Sequence, residues 1–219
     1  MAETIELSAP DGHRFSVYRA TPADTPRGGV VIVQEIFGLT RHICDVAEQY
    51  AAQGYLALAP AMFDRVRPGI VLDYSEIQQG VETMMALNPS QTLLDVGAAV
   101  DAAATAGNTA VVGFCWGGTI AYVAACRLPI TAAVSYYGGR ILQNGDRKPR
   151  CPVMYHFGDQ DQSIPPATVE KVRQLHPEGI YYTYPAGHGF NCNERSSFEP
   201  QSARLAFERS LEFLRSNVG

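Results

Sequence analysis

Three local settings in this sequence supply the parts of a covalent hydrolytic site. The run Gly113-Phe114-Cys115-Trp116-Gly117 has the form G-x-nucleophile-x-G, which sets a thiol on a sharp strand-to-helix turn. Such an elbow drives its central residue toward positive φ and crowds the positions two before and two after it, where side chains larger than hydrogen are disfavoured. Both positions are glycine here, and Gly118 adds clearance. The helix expected just past Cys115 points its positive end at the sulfur and favours thiolate over thiol. A buried structural cysteine beside helix-packing glycines is the alternative, and the strand before and helix after the motif weaken it.

An acid and a base follow in the order that such a nucleophile requires. The strand Pro152 to Phe157 runs into Gly158-Asp159-Gln160-Asp161-Gln162-Ser163-Ile164-Pro165, and a later strand runs into Ala186-Gly187-His188-Gly189-Phe190. Asp161 is preferred as the acid because Asp159 falls in the turn itself, where a carboxylate is expected to cap. His188, flanked by glycines on a loop, is the expected base. His156 lies inside a strand, His176 ends a helix, and His13 and His42 fall near segments expected to face solvent.

Apolar runs of strand length alternate with helix-period segments, the pattern of an α/β protein with a mostly parallel central sheet covered by helices on both faces. A hairpin-like start (5 to 7, 14 to 19) precedes the buried strand Val30 to Val33, a helix from Thr40 to Gln53 stopped by Gly54, and a strand from Tyr55 to Ala59. The segment Ala61 to Tyr74 lacks periodicity and reads as a long loop near the site. Helices are predicted over 75 to 85 and 90 to 106, the second with an apolar stripe of Leu93, Leu94, Val96, Gly97 and Val100. The strand 109 to 114, the helix 117 to 127, the strands 130 to 137, 152 to 157 and 179 to 184, and helices over 166 to 176 and 199 to 217 complete the chain. No repeat or linker divides it, so residues 1 to 219 are expected to form a single domain.

Together, Gln34-Glu35-Ile36-Phe37-Gly38, the Cys115 elbow, the Gly158 to Pro165 segment and Ala186 to Phe190 resemble the dienelactone hydrolase (carboxymethylenebutenolidase) family, in matching order across nearly the whole chain. The resemblance implies an α/β-hydrolase fold and cleavage of a lactone or related ester by a Cys-His-Asp triad, with no metal and no organic cofactor. It also implies that the Glu35 carboxylate lies near the sulfur and governs its ionisation. A carboxylate at the end of a buried strand needs a partner in any case, and pairing with an arginine or capping the next helix are the alternatives. An oxyanion hole needs two backbone N–H groups, for which Trp116 and Ile36 occupy the right positions. Family members hold the substrate carboxylate with arginines. Here the residues after His188 lack one at the expected spacing, Arg195 lies further along, and Arg65 and Arg67 are the loop candidates. Arg65, Phe37, Tyr136 and Tyr137 are therefore taken as substrate-binding candidates, with Phe63 a further aromatic at a strand end.

The chain has 219 residues, 46% of them hydrophobic, and a formal net charge of −5. It lacks a basic cluster for nucleic acid or an anionic membrane surface, and it shows neither a signal peptide nor a membrane span. Cys44, Cys115, Cys126, Cys151 and Cys192 are scattered and odd in number, which points to free thiols in a reducing, cytoplasmic setting. The expected partner is a small ester or lactone, and the expected state is a monomer. A general carboxylesterase or thioesterase using the same triad, a ligand-binding member of the fold, and a redox-sensing Cys115 are the competing readings.

Overall fold

The computed structural model describes residues 1–145 and 147–219. In chain order the elements are β1 (Ala2–Ser8), β2 (Arg14–Ala20), β3 (Gly29–Val33), α1 (Arg41–Ala52), β4 (Leu56–Pro60), α2 (Ile77–Met85), α3 (Pro89–Ala103), β5 (Thr109–Phe114), α4 (Trp116–Arg127), β6 (Ala132–Tyr136), β7 (Val153–Gly158), α5 (Pro166–Leu175), β8 (Ile180–Tyr184) and α6 (Pro200–Asn217). The strands form one eight-stranded sheet in the order β1-β2-β4-β3-β5-β6-β7-β8. The β1–β2 and β2–β4 pairs are antiparallel, and every pair from β4–β3 onward is parallel. This is the expected α/β-hydrolase architecture.

All residues of β3, β5, β6 and β7 are buried, as continuous apolar strands covered on both faces must be. Val30, Val31, Ile32 and Val33 are wholly inaccessible, each such side chain contributing on the order of 1.5–3 kcal/mol. The connection order reverses at β3, whose neighbours are β4 on one side and β5 on the other. Loops leaving the carboxyl ends of strands diverge at such a switch point and open a crevice there. Val33 pairs in register with Gly113, so the segments Gln34 to Gly38 and Cys115 to Gly118 leave the sheet side by side.

Helix ends follow side-chain chemistry. Asn88 accepts from the Ser90 and Gln91 amides ahead of Pro89, and Glu199 accepts from Gln201 and Ser202 ahead of Pro200, so both helices start with a cap and a proline in the first turn. α3 differs from the expected stripe. Its buried face is Thr92, Asp95, Val96, Ala99, Val100 and Ala103, whereas Leu94 is exposed and Leu93 half-buried. Asp95 on this face is paired with Arg65, whose guanidinium lies 2.7 Å away. His42 also departs from expectation: it is buried on α1, with Nδ1 3.2 Å from Asn193 Oδ1.

The segment 61 to 74 is more ordered than its composition suggests. A short 3-10 turn (Met62–Arg65) opens it, and the buried Asp64 accepts from the Ser16 and Gly69 amides at 2.8 and 3.0 Å. Phe63, Ile70 and Leu72 then pack with Phe37 and Leu87 in a small apolar cluster over the strand ends.

Candidate active site

Cys115 sits between β5 and α4 with φ 55° and ψ −114°, one of two non-glycine residues at positive φ among the described residues. Its surroundings show why the flanking residues are glycine. A Cβ on Gly113 would fall 1.9 Å from the Gly117 carbonyl oxygen, one on Gly117 2.3 Å from Val33 O, and one on Gly118 2.5 Å from Tyr136 O. The elbow is thus wedged between the ends of β3 and β6, and only bare backbone fits. Strain of this kind persists only where the surroundings enforce it, and it concentrates at functional positions.

His188 Nε2 lies 3.1 Å from Cys115 Sγ, and its Nδ1 lies 2.7 Å from Asp161 Oδ2. The second Asp161 oxygen accepts from the Ser163 and Ile164 amides at 2.7 and 3.1 Å, so a fully buried carboxylate is satisfied on both oxygens. Asp159, by contrast, is exposed, and its carboxylate caps nothing among the described residues. Burial alone would lower the His188 pKa, but hydrogen bonds to Asp161 and Cys115 outweigh it and raise the value to about 10. A consequence for stability follows from linkage. The folded state holds this proton more tightly than the unfolded chain, whose histidine titrates near about 6.5. The stability difference between the native protein and a His188→Gln variant is expected to be full below about pH 6.5 and to vanish as pH rises through about 10. Chemical denaturation at stepped pH measures it, and a difference that grew with pH would refute the assignment of the proton.

Glu35 is buried at the end of β3, and its Oε1 lies 3.1 Å from Arg195 Nη1. Glu35 thus has the partner that its burial requires, and the sulfur's hydrogen-bond partner is His188. Arg195 also spans the Phe37 ring at 5.5 Å and lies near Cys115, Tyr137 and Cys192. It reaches the site because the chain after His188 coils back through successive turns, Cys192 N to Gly189 O, Arg195 N to Cys192 O and Phe198 N to Arg195 O. Gly189, at φ 77°, leaves the room: a Cβ there would fall 2.4 Å from the guanidinium. Counting residues from His188 missed Arg195; the glycine and the buried Glu35 awaiting a cation were the available signals.

The two tyrosines part company. Tyr137, at φ 39°, sets its ring edge-on to His188 at 5.2 Å, and its buried hydroxyl has no hydrogen-bond partner among the described residues. Burial foremost, and the Glu35 charge next, push that phenol well above its ordinary pKa, so it remains a donor. Tyr136 does not reach the site: its hydroxyl lies 2.7 Å from Ser210 Oγ in a buried network with His156. Arg65 is corrected as well. Its guanidinium is held by Asp95 and Asp11, which makes it a clamp of the 61 to 74 segment and not a substrate ligand. Phe37 lies beneath Arg195, and Phe63 stacks on Trp116 at 5.8 Å. Tyr74 closes the rim, its hydroxyl 3.1 Å from both Thr40 Oγ1 and Glu194 Oε2. The Ile36 and Trp116 amides donate to no group among the described residues. No cluster of metal-ligating side chains occurs among the described residues.

The family model for the dienelactone hydrolase family matches residues 15–218. The chain belongs to that family. A carboxymethylenebutenolidase of Pseudomonas putida is 30% identical over 98% of this chain and 96% of its own. The crystal structure of a provisionally named dienelactone hydrolase from Klebsiella pneumoniae superposes with TM-score 0.85 at 32% identity, covering 98% of this chain and 99% of that one. A dienelactone hydrolase-like promiscuous phosphotriesterase, P91, from metagenomic libraries shares the fold, with TM-score 0.79 at 20% identity over 100% and 99% of the two chains. The protein is accordingly a lactone or ester hydrolase. No helix among the described residues is long and apolar enough to cross a membrane.

Proposed function

We propose that this dienelactone hydrolase family member cleaves its lactone or carboxylic ester by covalent catalysis at Cys115. The observation that carries the reading is the unbroken chain Cys115 Sγ, His188, Asp161, with contacts of 3.1 and 2.7 Å. The thiolate attacks the carbonyl carbon, and the oxygen that gains the negative charge is met by the Ile36 and Trp116 amides. Collapse breaks the C–O bond, and His188 gives its proton to the departing alkoxide, which in a lactone stays tethered to the acyl group. His188 then takes a proton from water, whose hydroxide attacks the thioester and releases the acid with the thiolate restored. Asp161 holds the imidazole in its tautomer throughout. The Arg195–Glu35 pair sets the charge around the sulfur, and the free Tyr137 phenol supplies a hydrogen bond to the bound substrate. Five free cysteines suit a reducing, cytoplasmic setting.

An activated aryl ester is the direct test. A burst of phenolate stoichiometric with enzyme, with a mass increase of one acyl group on Cys115, is expected before the steady state. Turnover with no burst and no adduct under acid quench, repeated with a slower-deacylating ester, would remove the acyl-enzyme.

A further inference from the structure

Beside the catalytic crevice lies a second cavity of about 430 Å³, within the range of about 300–1,000 Å³ usual for small-molecule sites. Its wall includes Met84, Leu87, Ile120 and Val123, and one side is Trp116, the residue following the nucleophile. Cys115, His188 and Glu35 do not line it, and Trp116 is the lining residue that adjoins the nucleophile in the chain. Met84 and Trp116 also belong to the apolar cluster that contains Ile36 and Phe37, which joins the compartment to the reacting end of the sheet.

The polar side of this cavity carries one sign of charge. Arg127, Arg140 and Arg147 all line it, and no aspartate or glutamate does among the described residues. Among the described residues none of the three arginines makes an ion pair, and the Arg147 guanidinium donates to the neutral Asn144 Oδ1 at 3.1 Å. In a chain of net charge −5, three arginines on one apolar cavity without a carboxylate partner leave a potential that favours an anion. The backbone that carries two of them is tied down. Thr119 Oγ1 accepts the Arg140 amide at 3.1 Å, and the Tyr122 hydroxyl donates to the Arg147 carbonyl at 2.7 Å, tying the loop after β6 to α4. Arg127 ends the face of α4 that also presents Thr119, Ile120 and Val123 to the cavity. The guanidinium fork matches a carboxylate in geometry, and a carboxylate is the anion that an ester hydrolase meets in its substrates and products.

We infer that this cavity binds an amphipathic carboxylate, its apolar chain against Met84, Leu87, Ile120 and Val123 and its charged end among Arg127, Arg140 and Arg147. The ligand is either the distal acidic tail of the ester being cut or a separate fatty-acid-like molecule. The former source rests on the hydrolase reading above.

Calorimetry with octanoate and octanol on the Cys115→Ala protein tests the cavity without turnover, and kinetics with the para-nitrophenyl esters of octanoic acid and of suberic acid (the mono-ester) identify the source. Octanoate is expected to bind at least tenfold more tightly than octanol, with the preference lost in Arg140→Ala/Arg147→Ala. If that double variant also lowers kcat/KM tenfold for the suberate ester and less than twofold for the neutral ester, the cavity takes the substrate's tail. If octanoate binding is arginine-dependent but both esters respond alike, it takes a separate acid. Equal binding of octanoate and octanol, or octanoate binding unchanged in the double variant, overturns the inference. Failure of the native enzyme to cut either ester would instead count against the hydrolytic reading, leaving the binding result to stand by itself.

Discussion

Cys115→Ala is expected to lower lactone and ester turnover by on the order of 10⁴-fold or more, since the other members of a catalytic unit do little once its nucleophile is gone. The informative companion is Cys115→Gly. At an ordinary helical or strand position glycine is less stable than alanine by roughly 0.5–1 kcal/mol. Here the residue is held at φ 55° and ψ −114°, and a Cβ in a sparsely populated conformation costs on the order of 1–3 kcal/mol. The order should reverse, with Cys115→Gly at least as stable as Cys115→Ala in urea unfolding and both inactive. A structural cysteine would leave activity in Cys115→Ala, whereas a glycine variant less stable than the alanine one would contradict the strain at this backbone position.

That strain was legible in the sequence because the elbow needs glycine at two fixed offsets, and Gly113 and Gly117 stand at both. Asp161 was legible because Asp159 falls in the turn itself and Asp161 past it; that the Ser163 and Ile164 amides donate to its carboxylate is added by the structure. Features built across the fold were harder to read. Arg195 reaches Glu35 only after three consecutive turns, so its distance along the chain says little about its place in the site. Arg65 lies in the right loop, yet Asp95 and Asp11 capture it, and no local pattern announces partners 30 and 54 residues away. Leu94 shows the same limit from the other side, since it is exposed while the buried face of α3 includes the Asp95 carboxylate.

The Arg195–Glu35 pair carries the second large expectation. Side-chain exposures of 18% and 2% place it among buried pairs, for which removal of one partner costs about 3–5 kcal/mol, and not among surface bridges, which contribute about 0–1 kcal/mol. Arg195→Met keeps an apolar stem over Phe37 and removes the cation, leaving a buried carboxylate unpaired. The variant should lose about 3–5 kcal/mol at neutral pH, and Arg195→Met/Glu35→Gln should recover most of it because the stranded charge is gone. The double variant separates charge from packing. Urea unfolding of the four proteins of this cycle at neutral pH measures the recovery. A deficit that persists in the double variant would mean that Arg195 acts through its contact with Phe37 alone, and that Glu35 needs no cation to stay beside the nucleophile.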